Sequence, residues 1–141
     1  MKKLIKIFYT TFLAFVFSTV LFSASAIADI AVIANSGSSA SSMTSKDIKK
    51  IFLGKNTSMT PIDQAEGSAT RNAFYQQVAK KSEAQMKAYW SKMIFSGKAT
   101  PPGTASDDAA VKAWVVSNKN GIGYIDSSAV DDTVKVLLTV K

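Results

Sequence analysis

Hydrophobic positions along the chain fall into two alternating patterns, short unbroken runs and stripes at helical spacing. Ile30-Ala31-Val32-Ile33-Ala34 is an unbroken run that predicts a buried strand. A Ser/Gly-rich loop spans Asn35 to Ser42, and Thr44 with Asp47 has the spacing of a capping box. Ile48, Ile51 and Phe52 then form a helical stripe, with Gly54 as its stop signal. Met59 to Ile62 predicts a second strand. A helix is expected from about Ala69 to Lys80, where Phe74, Val78 and Lys81 fall near one face. Ser82 and Gln85 make another capping box. Behind it Met86, Tyr89, Trp90, Met93 and Ile94 follow at i, i+3, i+4, i+7 and i+8, the clearest amphipathic helix in the chain, ended by Gly97. An aromatic stripe at this spacing is expected to be core.

Thr100-Pro101-Pro102-Gly103 cannot be helical and predicts a connecting loop. Ser106 is the expected cap of a further helix, with Asp107 and Asp108 in its first turn and Val111, Trp114 and Val115 on its buried face. Asn118 to Gly121 reads as a turn, and Ile122–Ile125 and Val134–Val140 as closing strands. Strands alternating with helices argue for an α/β sandwich.

The first residues change the picture of where this domain works. Lys2, Lys3 and Lys6 precede an apolar run from Ile7 to Phe22, and Ala26-Ile27-Ala28 fits the small-x-small cleavage pattern. Residues 1–28 are therefore expected to be a cleavable signal peptide, and 29–141 a single periplasmic domain. The rival is an uncleaved anchor, since the run is almost long enough to span a bilayer; either way the folded part lies beyond the inner membrane. Removing the leader leaves 113 residues and, with three lysines gone, lowers the net charge from +7 to +4. That size suits one core. The mild positive charge favours anionic partners in general, but spread lysines without a basic helix or aromatic motif imply no nucleic acid.

Cysteine and histidine are both absent. This excludes disulfides, thiol chemistry, and Ser-His-Asp or Cys-His catalysis within the chain, and removes the commonest metal ligand. No cofactor is implied. The adjacent pairs Asp107-Asp108 and Asp131-Asp132 lack a loop scaffold for a cation, and no carboxylate pair is placed face to face for hydrolysis, so no catalytic residue is assigned.

The chemistry concentrates in Asp63-Gln64-Ala65-Glu66-Gly67-Ser68-Ala69-Thr70-Arg71, where a strand ends and a helix begins. The first N–H groups of a helix lack partners within it and carry partial positive charge. Small side chains let an oxyanion approach them. Ser68 and Thr70 add hydroxyls and Arg71 a guanidinium. The competing reading is that Ser68 simply caps the helix.

Several segments, in order, resemble one family. They are Ile51-Phe52-Leu53-Gly54-Lys55, Pro61-Ile62-Asp63-Gln64, Gly67 through Phe74, Tyr89-Trp90, Phe95-Ser96-Gly97-Lys98 with Pro101-Pro102, and Gly121-Ile122-Gly123-Tyr124-Ile125. Over nearly the whole mature chain the sequence is similar to the phosphate ABC-transporter substrate-binding-protein family, in a short, single-lobe form. The resemblance implies a periplasmic-binding-protein-like lobe, a mixed β-sheet flanked by helices. It implies inorganic phosphate or a similar oxyanion as ligand, and an ABC transporter or sensor downstream. In full-length relatives two lobes close on the ligand, one supplying a Gly-Ser-Gly-Thr turn preceded by an arginine. That turn falls on Gly67-Ser68-Ala69-Thr70, with Ala69 in place of the second glycine, and the arginine falls on Gln64, which keeps a donor but loses the charge. Arg71 is positioned to substitute for it. The implied ligand-binding set is Gln64, Gly67, Ser68, Ala69, Thr70 and Arg71.

One lobe leaves an anion half solvated, so binding on the order of tens of micromolar or weaker is expected. Glu66, with Asp63 the other nearby carboxylate, is the candidate acceptor that would tell protonated phosphate from sulfate; the competing reading is that Glu66 solvates the loop or faces the helix N-terminus. The alternative function is a protein-interaction module: a lone lobe frees the surface that met its partner, for docking on an envelope protein or for self-association.

Overall fold

The computed structural model describes residues 28–141; residues 1–27, which hold the Ile7–Phe22 run and all but the last residue of the expected signal peptide, lie outside the described residues. Five strands form one sheet in the order β3-β2-β4-β1-β5, built from β1 (Ile30–Asn35), β2 (Thr60–Gln64), β3 (Gly103–Ala105), β4 (Gly121–Asp126) and β5 (Val134–Val140). β1 pairs antiparallel with β4 and β5, whereas β2 runs parallel to β3 and β4. The sheet is therefore mixed, and the α/β class expected from the sequence holds.

Helices cover both faces, which explains the unbroken apolar run of β1. Side chains alternate across a strand. Ile30, Val32 and Ala34 face one core with Ile48, Phe52, Phe74 and Trp90, from α1 (Ser45–Phe52), α2 (Ala69–Phe74) and α3 (Glu83–Phe95). Ala31 and Ile33 face a second core with Val111 and Val115 of α4 (Asp108–Ser117). A central strand covered on both sides needs apolar residues at every position. α4 packs so close to β4 that a Cβ on Gly123 would lie 2.6 Å from Val111 Cγ1 and 2.9 Å from Ile62 Cγ2.

Five details differ from the sequence reading. β2 extends through Asp63 and Gln64, because a buried polar pair at its end carries no apolar signal. The helix after Ser68 passes into a π-helical turn over Tyr75–Ala79 and stops at Lys80, at a positive φ of 55°. The segment after Pro102 contributes β3, a three-residue edge strand parallel to β2. Asp107, not Ser106, caps α4, its side chain accepting from the Ala110 amide at 2.8 Å. α3 begins with the capping box of Ser82 and Gln85, but only Met86 and Trp90 of its stripe are buried; Ile94 is 57% exposed. No helix among the described residues is long and apolar enough to cross a membrane.

Candidate oxyanion site

β2 delivers Asp63 and Gln64 to the carboxyl end of the sheet, and the chain must then turn sharply into α2. Gly67 makes that turn at a φ of 84°, a conformation that side chains disfavour. Ser68 is the N-cap: its hydroxyl accepts from the Arg71 amide at 3.2 Å and donates to Gln64 Oε1 at 2.7 Å. Gln64 is buried, and its Nε2 donates to Asp108 Oδ1 at 2.6 Å and to the Tyr124 carbonyl at 3.2 Å. This side chain thus ties the start of α2 to the start of α4.

The six residues singled out from sequence meet here but divide into two groups. The Gly67 amide is taken by Glu83 Oε1 at 2.7 Å, and the Ser68 amide by the Ala65 carbonyl at 3.2 Å. Arg71 is 7% exposed and turned inward, its Nη1 3.0 Å from Glu83 Oε1 and its Nε 3.5 Å from Asp63 Oδ1, with its guanidinium over the Tyr75 ring. These groups serve the fold. The amides of Ala69 and Thr70 and the Thr70 hydroxyl have no hydrogen-bond partner among the described residues. An open cleft of about 430 Å³ lies there, lined by Gln64, Ser68, Thr70, Ser106, Asp107 and Asp108. It lies between the first turns of α2 and α4, where unpaired backbone donors collect.

Asp63 anchors the layer beneath. It is 3% exposed and accepts from the Gln64 amide at 2.8 Å, the Tyr75 hydroxyl at 2.7 Å and the Tyr124 hydroxyl. Burial, reinforced by the Asp63 charge, pushes both phenols far above their ordinary value. Burial alone would lower the Arg71 pKa, but Asp63 and the two tyrosines outweigh it and hold the guanidinium above its usual range. Arg71 Nε approaches Asp63 as an ion pair without a hydrogen bond, while the two phenols and the Gln64 amide bond the Asp63 carboxylate and fix the end of β2 in one arrangement.

Glu66 is exposed and lines a different cleft of about 360 Å³, beside Arg71, Lys87 and Trp90. The acids that line the cleft with Ser68 and Thr70 are Asp107 and Asp108; both Asp108 oxygens accept within the protein, from Gln64 Nε2 at 2.6 Å and the Asp126 amide at 3.2 Å, whereas Asp107 accepts through Oδ1 from the Ala110 amide. Sequence reasoning missed Glu83, Asp107, Asp108 and Tyr124 as neighbours of the site. Asp107 and Asp108 were legible only as first-turn acids of a helix, and nothing local placed that helix opposite α2.

No protein-family model and no curated protein matches the chain. Solved structures do. A protein of Clostridium perfringens, assigned as a phosphate ABC transporter substrate-binding protein and solved with bound phosphate, superposes with a TM-score of 0.62 at 27% identity, over 79% of this chain and 45% of that one. An ABC-type phosphate transport receptor from Vibrio cholerae matches with a TM-score of 0.63 at 16% identity, over 79% and 47%. A Planctomyces limnophilus protein assigned as phosphate-binding gives 0.56 at 16%, over 79% and 42%. The chain spans about half the length of these structures, and its fold is that of one of their lobes.

Proposed function

From this single-lobe fold we propose that the protein is an exported solute-binding domain for an inorganic oxyanion, phosphate first among them, working in the periplasm. The anion sits at the entrance of α2, held by the Ala69 and Thr70 amides and the Thr70 hydroxyl. Gln64 and Ser68 act as positioning residues, and Gly67 and Arg71 hold the turn. The observation that carries this reading is the pair of unclaimed amides at a cleft between two helix starts, in a fold whose 27%-identical relative was solved with phosphate. No bond is made or broken in this reading, so the protein is a receptor rather than an enzyme. An ABC transporter or another envelope protein is the proposed recipient.

The site is shallow, and a half-solvated anion gains little from a helix terminus, about 0.3–1 kcal/mol. Binding on the order of tens of micromolar or weaker follows, since association costs several kcal/mol of lost freedom. Calorimetry with phosphate, sulfate and nitrate tests the reading. The expected result is weak heat with phosphate that is lost in Thr70→Val; no heat and no thermal shift at millimolar anion rejects it.

A second reading, an interaction module without tight ligand binding, is favoured by one observation. The Gly67 amide, the Ser68 hydroxyl and the Arg71 guanidinium are all engaged within the protein. It predicts recovery of an envelope partner, or a mass that rises with concentration, in a protein that gives no heat with any anion.

A further inference from the structure

The C-terminal half of α3 presents an unpartnered face away from both cores. Phe95 is 95% exposed and Ile94 57% exposed, at the end of the helix. Lys87 and Lys92 are exposed on the same helix, and Lys98 follows just beyond it. Positions 87, 91, 94 and 95 recur at three- and four-residue steps and share one side, Lys92 flanks it three residues before Phe95, and Lys98 lies beyond the helix end, after Gly97 turns the chain at a φ of 66°. From Ala84 to Ser106 the chain holds these three lysines and no acid. The one acid of α3, Glu83, is turned towards Gly67 and Arg71. Glu66 lines the same cleft as Lys87.

We propose that this helix end docks on an anionic phospholipid surface. Phe95 and Ile94 enter the interfacial layer, while the lysines reach headgroup phosphates. A ring projecting from a helix end needs no complementary pocket in a bilayer, which accepts any apolar shape, whereas a protein partner must supply a fitted groove. Lysine stems lie along the apolar layer while their ammonium groups stay in water. Binding of such a face combines buried apolar area with attraction to anionic lipid. A second copy of the chain is the poorer occupant, because a two-fold contact here sets lysines against lysines. Docking by this face leaves the cleft between α2 and α4 lined by other residues.

Sedimentation with sucrose-loaded vesicles tests the proposal. The exported protein is compared with Phe95→Ser, and with Lys92→Glu combined with Lys98→Glu, on phosphatidylcholine vesicles with and without a quarter phosphatidylglycerol. All three positions are exposed, so melting curves are expected to superpose. Every variant carries the same N-terminus as the parent, so differences between variants read this face alone. The expected result is a loss of about fivefold or more in partitioning for both variants on anionic vesicles, absent on neutral ones. No difference on anionic vesicles, or the same difference on neutral ones, overturns the proposal. Loss of vesicle binding alongside retention on an acidic polypeptide, sensitive to Phe95→Ser, also overturns it and gives the face to an acidic protein.

Discussion

Glu83 Oε1 accepts the Gly67 amide at 2.7 Å, and the same oxygen lies 3.0 Å from Arg71 Nη1. An internal carboxylate thus occupies two donors that the sequence offers to a guest anion. Its charge also opposes any anion at the neighbouring amides of Ala69 and Thr70. Glu83→Gln keeps an acceptor for Gly67 while removing the charge. A like charge near a protein surface contributes about 1 kcal/mol at such separations. The variant is therefore expected to bind phosphate about three- to tenfold more tightly at low salt, with the gain shrinking at high salt. Calorimetry at two ionic strengths decides it, and an unchanged affinity at low salt would place Glu83 outside the anion's field.

Ser68 and Thr70 separate stability from binding. The Ser68 hydroxyl caps α2 and satisfies Gln64, so Ser68→Ala leaves a buried amide oxygen without its donor. A cost of about 1–2 kcal/mol is expected in urea unfolding. The Thr70 hydroxyl bonds nothing among the described residues, so Thr70→Val should leave the unfolding free energy within about 0.5 kcal/mol of the parent. Equal destabilisation by the two variants would contradict this division.

That division marks what the sequence could and could not disclose. The glycine, the cap and the following helix are local signals, fixed by φ preferences and by the unpaired donors of a first turn, so the strand–turn–helix at Gly67 was legible. The unbroken run of β1 likewise announced burial on both faces. Which donors remain free was not legible, because Glu83 reaches Gly67 from the next helix, 16 residues away. The inward turn of Arg71 has the same origin: its partner Asp63 is buried by Tyr75 and by Tyr124, which lies 61 residues beyond Asp63. The α3 stripe failed at Ile94 because periodicity reports which side is apolar, not how far along a helix its neighbours extend.

Asp63 is the single acceptor shared by Tyr75, Tyr124 and the Gln64 amide, with Arg71 beside it. Asp63→Asn keeps the shape but leaves the buried guanidinium with only Glu83 as counter-charge. Breaking a buried pair in this way costs about 3–5 kcal/mol. A drop of that order in urea unfolding is expected, and a loss below about 1 kcal/mol would mean that the pair contributes little.

The same network sets the alkaline limit. The phenols of Tyr75 and Tyr124 are raised from 10.0 in the folded protein, by burial first and by Asp63 second. Below pH 10 both are neutral in the folded and unfolded chains, and their contribution is fully present. Above it only the unfolded chain loses the protons, so stability falls as pH rises, by about 2.7 kcal/mol per pH unit for two such groups. Tyr124→Phe should roughly halve that slope. A flat unfolding free energy between pH 10 and 11 would contradict the buried, protonated assignment.

If phosphate binds as proposed, Asp107 is expected to set its selectivity. Its carboxylate lines the cleft with Ser68 and Thr70, and one oxygen caps α4 through the Ala110 amide at 2.8 Å. Phosphate near neutral pH keeps a proton that it can donate to a carboxylate, and sulfate has none, so Asp107 favours the first and repels the second. Asn is as good a cap as Asp, so Asp107→Asn removes the charge without uncapping the helix. Sulfate should then gain on phosphate by about tenfold, the scale of one charge-assisted hydrogen bond. Glu66→Gln, in the neighbouring cleft, should leave the ratio where it was. If Thr70→Val abolishes phosphate binding while Asp107→Asn leaves the phosphate-to-sulfate ratio unchanged, the anion binds on the α2 side alone and discrimination must come from another group.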